Sequence, residues 1–240
     1  MIIIPARLNS SRFENKIMAD ILGLPMVIRT AKRVESLDRV VIATDCQDVI
    51  ELASKHGIEA VMTSSEHQSG TDRINEAANN LNITDDDIVV NVQADEPFIE
   101  PEVVQAVIEA VKSNNNQFNM VSCYKEISSN LADDPNHVKV VCDAIGDAVY
   151  FSRSKIPYHR DHYDETLYKG HLGIYGFNKK SLNQFCSWEN SSLEGIEKLE
   201  QLRALSKGER IKMVKVQSKS FGIDTKEDLE NALKIFSKAQ

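Results

Sequence analysis

Apolar residues in this chain come in short blocks set apart by polar stretches, and two block types alternate through the first half. Ile2 to Pro5, Arg39 to Ala43, Ala60 to Met62 and Asp87 to Val92 are continuous, β-branched runs that read as buried strands. Between them, Met26 to Ser36, Gln47 to His56, Asp72 to Leu81 and Glu102 to Ser113 place apolar residues on one helical face. Pro25 opens the first of these helices and Gly57 stops the second. Strands that alternate with helices at this spacing imply right-handed βαβ units and a mainly parallel sheet covered on both faces. Ligands of such sheets bind beyond the carboxyl ends of the strands. The segments after Ile4, Ala43, Met62 and Val92 are therefore expected to converge.

The texture changes near residue 120. Met120 to Tyr124, Val138 to Cys142, Ala148 to Phe151 and Gly173 to Phe177 are closely spaced strand-like runs, with a turn near Ala144, Ile145 and Gly146. They predict a smaller antiparallel β-containing insertion. Helices return at Lys179 to Trp188 and Glu197 to Ser206, followed by a strand at Ile211 to Val216 and a helix from Thr225. The expected fold is a doubly wound, mainly parallel α/β sheet with this smaller antiparallel insertion. It forms one chain-wide unit, 1–240, with parts at 1–118 and 119–210 and a return to the core at 211–240.

Composition narrows the function. The 240 residues are 42% hydrophobic, enough for a full core, and the net charge of −8 argues against a nucleic-acid or anionic-membrane surface. An anionic small substrate stays compatible, since a pocket can be locally basic. The four cysteines, at 46, 123, 142 and 186, have no C-x-x-C spacing and read as buried thiols. No apolar stretch reaches the ~18 residues of a membrane span, and no signal segment is recognisable, so a cytoplasmic protein is expected.

Four polar segments fall where the sheet should bind ligands. The loop after the first strand carries Arg7, Arg12 and Lys16 with Ser10 and Ser11, a set able to hold a triphosphate or simply to be solvated. Neither a P-loop nor a G-x-G-x-x-G pattern occurs. Thr63 to Arg73 is rich in hydroxyls around Gly70; Ser69 or Thr71 serves equally well as a helix cap. In Asn91 to Pro97 an apolar strand runs into Gln93 and the adjacent carboxylates Asp95 and Glu96, which suits a hard cation such as Mg2+. In Phe221 to Thr225, Asp224 is either a helix cap or a second carboxylate. Arg153, His171, Tyr175, Glu194, Glu197, Glu200, Gln201 and Arg203 complete the candidates.

Taken in order, these segments resemble the 3-deoxy-manno-octulosonate cytidylyltransferases, or CMP-Kdo synthetases. The resemblance runs through Ile4-Pro5-Ala6-Arg7, Thr63 to Arg73, Asn91 to Pro97, Tyr150 to Pro157, His171 to Gly176, Leu193 to Arg203 and Gly222 to Glu230. It implies a nucleotide-diphospho-sugar transferase-like fold, with 1–118 the nucleotide-binding part and 119–210 the sugar-binding and dimerisation part, and CMP transfer from CTP to the acidic sugar Kdo for lipopolysaccharide biosynthesis, with Mg2+ and a homodimer. By similarity, Arg7, Arg12 and Lys16 hold the triphosphate, and Ala6, Thr63, Ser69, Gly70, Asp72 and Arg73 line the cytidine pocket. Asp95 and Asp224 are the metal ligands, and Arg7, Lys16, Asp95 and Asp224 form the catalytic set. Gln93, Arg153, His171, Tyr175, Glu194 and Gln201 face the sugar, with Arg153 expected to pair with its carboxylate. Competing readings are another acidic sugar, 8-amino-Kdo or a sialic-type acid, and a non-catalytic nucleotide-binding module. Two departures stand out. The family's usual Arg-Leu-Pro-Gly-Lys-Pro is replaced by Arg12-Phe13-Glu14-Asn15-Lys16-Ile17, and Ala94 stands where the family has Gly before the metal Asp.

Overall fold

The first strand, β1 (Ile2–Ala6), shows how the sequence dictates layers. All five residues are buried, and alternate side chains leave on opposite faces. Ile2, Ile4 and Ala6 enter one apolar cluster, whereas Ile3 enters another. At ~1.5–3 kcal/mol for each fully buried Ile, both faces demand a helical cover. The computed structural model describes residues 1–8, 13–113, 119–161 and 167–236. There β1 is followed by a small hairpin, β2 (Asp20–Ile21) and β3 (Leu24–Pro25), then α1 (Met26–Val34), β4 (Val40–Thr44), α2 (Gln47–Lys55), β5 (Glu59–Met62), α3 (Gly70–Asn80), β6 (Ile88–Asn91) and α4 (Pro101–Lys112). Helices α1, α2 and α4 cover the Ile2/Ile4 face, and α3 covers the Ile3 face. β1 pairs in parallel with β4 and β6, and β4 with β5. The alternating units appear as the apolar blocks predicted.

The second half comprises β7 (Met120–Ile127), α5 (Ser129–Asp133), β8 (Lys139–Cys142), β9 (Ala148–Ser152), β10 (Tyr168–Asn178), α6 (Lys179–Ser187), α7 (Ser192–Glu197), α8 (Leu202–Ser206), β11 (Ile211–Lys215) and α9 (Lys226–Phe236). This half supplies the expected antiparallel part, joined directly to the central sheet. Among the described residues the main sheet has the order β11-β7-β10-β6-β1-β4-β5, so β7 and β10 extend the central sheet. Only the β8–β9 hairpin branches away, through β10. β10 pairs antiparallel with both β6 and β7 and bends at an irregularity between Leu172 and Tyr175. Its eleven residues exceed the predicted Gly173 to Phe177 run because Gly170 and Gly176 weaken the strand signal. Both positions need glycine for space. A Cβ at Gly170 would lie 2.7 Å from Ile127 Cγ2, and one at Gly176 would lie 2.5 Å from Val111 Cγ2.

The predicted helix Glu197 to Ser206 is two helices. Lys198 adopts φ 55 and ends α7. The break turns Glu200 and Gln201 toward the ligand side of the sheet, where they line a cleft.

Candidate active site

The carboxyl ends of β1, β5 and β6 open onto one cavity of about 240 Å³. Pro5, Arg7, Lys16, Ser69, Gly70, Arg73, Gln93, Asp95 and Asp224 border it. It adjoins a larger cleft of about 940 Å³, and Gln93, Ser69, Gly70 and Asp224 line both. The predicted convergence is therefore present. Arg12 lies outside the described residues.

Arg73 ties the strand ends together. It donates to Thr63 Oγ1 at 2.7 Å and to Asp45 Oδ2 at 2.9 Å, joining α3 to the exits of β5 and β4. Ser69 is the cap of α3: its Oγ accepts from the Asp72 backbone N–H at 3.1 Å and donates to Asp72 Oδ2 at 2.8 Å. The side chain of Ala6 is buried in the core, so it has only backbone to offer a ligand.

Asp95 and Asp224 come from segments far apart in sequence and meet at Lys16. The ammonium of Lys16 donates to Asp95 Oδ2 at 2.6 Å and to Asp224 Oδ1 at 2.9 Å. Burial works to lower the Lys16 pKa, and the two carboxylates outweigh it, so the net shift is upward. The cap of α9 is supplied by Thr225 and Asp228 reciprocally, and Asp228 Oδ2 also accepts the Asp224 N–H at 3.0 Å. The Ile223 N–H donates to Asp95 O at 2.9 Å and fixes the two segments side by side.

Both departures from the family pattern are accommodated. Asn15, in the place of Gly, has φ 52 and ψ 31, the left-handed conformation that Asn tolerates best after Gly. Ala94 is absent from the described residues with positive φ. Its methyl group therefore carries no backbone penalty, and its carbonyl accepts from Thr30 Oγ1 at 2.9 Å.

Five of the six predicted sugar-facing residues line the large cleft: Gln93, His171, Tyr175, Glu194 and Gln201. Tyr175 donates its hydroxyl to Gln201 Oε1 at 3.0 Å. His171 contacts Ser122 Oγ through Nε2 at 2.9 Å and packs edge-on against Phe151. Burial pushes the His171 pKa down to about 3, so the ring is a neutral hydrogen-bonding group. Glu194 is held by Arg203 through two bonds of 3.0 and 2.7 Å, and Arg203 stacks over Phe185.

Arg153 is the sixth and does not line the cleft. Its guanidinium donates to the backbone carbonyls of Glu197, Lys198 and Pro135. It braces the turn between α7 and α8. A cation that does line the cleft is Lys125, whose Nζ donates to Ser220 O at 2.6 Å. Ser220 in turn donates to the buried carboxyl of Glu96 at 2.6 Å. Burial pushes Glu96 up to about 7, against the effect of that hydrogen bond. Glu200 also faces the cleft rather than bulk solvent, with Oε2 buried and lacking a protein partner.

The donor set around Lys16 fits a hard divalent cation. Two carboxylates converge on one point that a positive group already occupies. Among the described residues no set of three or more metal-ligating side chains gathers. Substrate phosphates and water would therefore complete the shell, as is usual for Mg2+.

Comparison with known proteins identifies the family. The cytidylyltransferase family model matches residues 1–211. The 3-deoxy-manno-octulosonate cytidylyltransferase of Wolinella succinogenes is 51% identical, covering 98% of this chain and 99% of its own. That of Helicobacter pylori (strain ATCC 700392 / 26695) is 53% identical, covering 99% and 98%. The solved structure of a CMP:2-keto-3-deoxy-manno-octonic acid synthetase complexed with CTP superposes with a TM-score of 0.92 at 34% identity, covering 100% of this chain and 98% of that one. With its strand ends, paired carboxylates and neighbouring cleft so arranged, the chain belongs to the cytidylyltransferase family.

Proposed function

We propose that this protein transfers CMP from CTP to the anomeric 2-hydroxyl of 3-deoxy-manno-octulosonate, releasing pyrophosphate and forming CMP-Kdo for lipopolysaccharide biosynthesis. The observation that carries the reading is the junction of two cavities. A smaller one holds cations and paired carboxylates suited to a nucleoside triphosphate. A larger one beside it combines neutral hydrogen-bonding side chains, Gln93, His171, Tyr175 and Gln201, with charged ones that include Lys125 and Glu200, a lining suited to a polyhydroxylated acid.

The protein's part in the reaction is positioning and charge stabilisation. Arg7 and Lys16 neutralise charge on the phosphates, with Arg12 from the same loop. Ser69, Gly70 and Asp72 present the start of α3 to the nucleoside, and Thr63 and Arg73 hold that helix in place. Gln93 stands where the two substrates meet. His171, neutral and bonded to Ser122, hydrogen-bonds sugar hydroxyls and does not act as a cation. Tyr175, Gln201 and Glu200 offer further polar contacts. Asp95 and Asp224 would hold magnesium, whose chemistry at such a pair is to neutralise the reacting phosphate and acidify the attacking hydroxyl.

Apolar side chains exposed around the β8–β9 hairpin, namely Ile145, Val149, Tyr158 and Leu167, support a homodimer. Among the described residues no helix is long and apolar enough to cross a membrane, and the proposed location is the cytoplasm.

The test is pyrophosphate release with CTP, Mg2+ and Kdo, beside wells in which ATP or UTP replaces CTP or a sialic acid replaces Kdo. Release confined to CTP plus Kdo is expected. Release with the sialic acid but not with Kdo would overturn the acceptor assignment. Asp95→Asn should lower turnover by orders of magnitude while leaving the melting profile intact.

A further inference from the structure

Lys16 occupies an unusual position for a residue expected to touch phosphate. Its side chain lines the small cavity. The ammonium lies between Asp95 and Asp224, within hydrogen-bond distance of both, and the side chain is only 12% exposed. The local backbone sets this placement. Asn15 turns left-handed, the Lys16 N–H returns to Phe13 O at 3.2 Å, and the short helical turn Lys16–Met18 aims the side chain under β6.

We infer that Lys16 is a surrogate for the divalent cation. In the nucleotide-free protein it neutralises Asp95 and Asp224 and holds them at the spacing a metal needs. It must leave before a metal can take both carboxylates. The triphosphate supplies the alternative partner, because a compact ammonium pairs with phosphate as readily as with carboxylate. In the exchange one positive group moves from the carboxylates to the phosphates, and a divalent ion takes its place and completes the neutralisation of the two carboxylates. Metal and nucleotide binding are thereby coupled through one side chain. By linkage, each raises the affinity for the other by the same factor. Lys16 is thus a positioning residue that also keeps metal from binding without substrate.

This inference rests on the reading of Asp95 and Asp224 as the metal pair, and the experiment separates the two. Binding of Mn2+ is followed by the loss of its free electron-paramagnetic-resonance signal, with and without CTP. The proteins are the wild type, Lys16→Met, Lys16→Gln and Lys16→Arg, each checked for folding by thermal melting. Wild type and Lys16→Arg should bind Mn2+ weakly until CTP is added. Lys16→Met and Lys16→Gln should bind it without nucleotide on the order of tenfold more tightly, the change that ~1.4 kcal/mol of lost competition produces. Their gain on adding CTP should shrink correspondingly. Equal nucleotide-free affinity in wild type and both neutral variants would overturn the surrogate role. Asp95→Asn is then added to Lys16→Met: loss of Mn2+ binding leaves the metal pair standing, whereas undiminished binding removes that pair and the inference with it.

Discussion

His171 gives a quantitative check on the chemistry of the cleft, because its charge state decides which ligand groups it can meet. Its ring lies against Phe151 and Tyr175 and contacts Ser122 Oγ, with Gln201 Nε2 3.5 Å from its other nitrogen. Burial lowers its pKa from the ordinary 6.5 to about 3. The folded state therefore leaves the ring neutral where the unfolded chain protonates it. Its contribution to stability is complete above about pH 6.5 and is lost as pH falls through 6.5 toward 3. Between pH 7.5 and pH 5 the unfolded ring goes from mostly neutral to mostly charged, and the linkage integral is about 2 kcal/mol. Any folded pKa below about 4 gives nearly the same figure, so the prediction does not depend on the depth of the shift. Wild type alone would hide the effect. Glu96, raised by burial to about 7 from 4.5, has the opposite sign and gains stability as pH falls over the same range. The His171→Asn variant retains Glu96, so the difference between the two proteins isolates the ring. Urea unfolding at both pH values should show wild type losing about 2 kcal/mol more than the variant on acidification. A constant difference would mean that the folded ring titrates normally, and His171 would then be available as the cation for an acidic sugar.

Other parts of the structure yield separate expectations. Gly176→Ala places a methyl group 2.5 Å from Val111 Cγ2 and 2.9 Å from Val107 Cγ1. It should cost about 1–3 kcal/mol, read as a lower melting temperature with turnover per folded molecule little changed. Glu194→Ala leaves the buried Arg203 without its bidentate partner; a loss of about 3–5 kcal/mol in chemical denaturation is expected. Gly70→Ala brings a methyl group 3.1 Å from Pro5 Cγ and 3.5 Å from the Gln93 amide, so steady-state kinetics should show a raised KM for CTP.

The fold was legible where both faces of an element are buried. Ile2 to Ala6, Val40 to Thr44 and Ile88 to Asn91 carry apolar residues on both sides. It was less legible where packing overrides local preference. β10 is interrupted by glycines that exist because Ile127 and Val111 press against the strand. Lys198 takes a left-handed conformation that a lysine does not advertise, so two short helices read as one. Lys139 is wholly buried in β8 on the carbonyls of Asp134 and Arg153, an arrangement set by tertiary contacts alone. In the site, the paired carboxylates could be read from their position after a strand and before a helix. Which of two neighbouring groups caps that helix could not, because Asp224 and Thr225 are equally competent. The reciprocal bonds between Thr225 and Asp228 decide it.

The place of Arg153 outside the cleft lining leads to the question of which cation reads the sugar carboxylate. Arg153 is committed to three carbonyls. Arg203 is buried on Glu194 and lies 3.5 Å from Asp72, and His171 is neutral. Lys198 lines the cleft as an exposed side chain, where solvent weakens any pairing. Lys125 is half-buried, lines the same cleft and donates to Ser220 O. Burial lowers its pKa while Glu96 and Glu100 oppose that, and a carboxylate ligand would add to their support for the charged form. A charge-assisted bond worth ~1.5–3 kcal/mol corresponds to roughly 10- to 150-fold in affinity. Lys125→Met should therefore raise the KM for the acidic sugar on that scale with little change in the KM for CTP. Arg153→Ala should instead lower stability and weaken both substrates together, because it acts through the turn that carries Glu200 and Gln201. A selective loss of the sugar in Arg153→Ala, with Lys125→Met unaffected, would reverse the assignment.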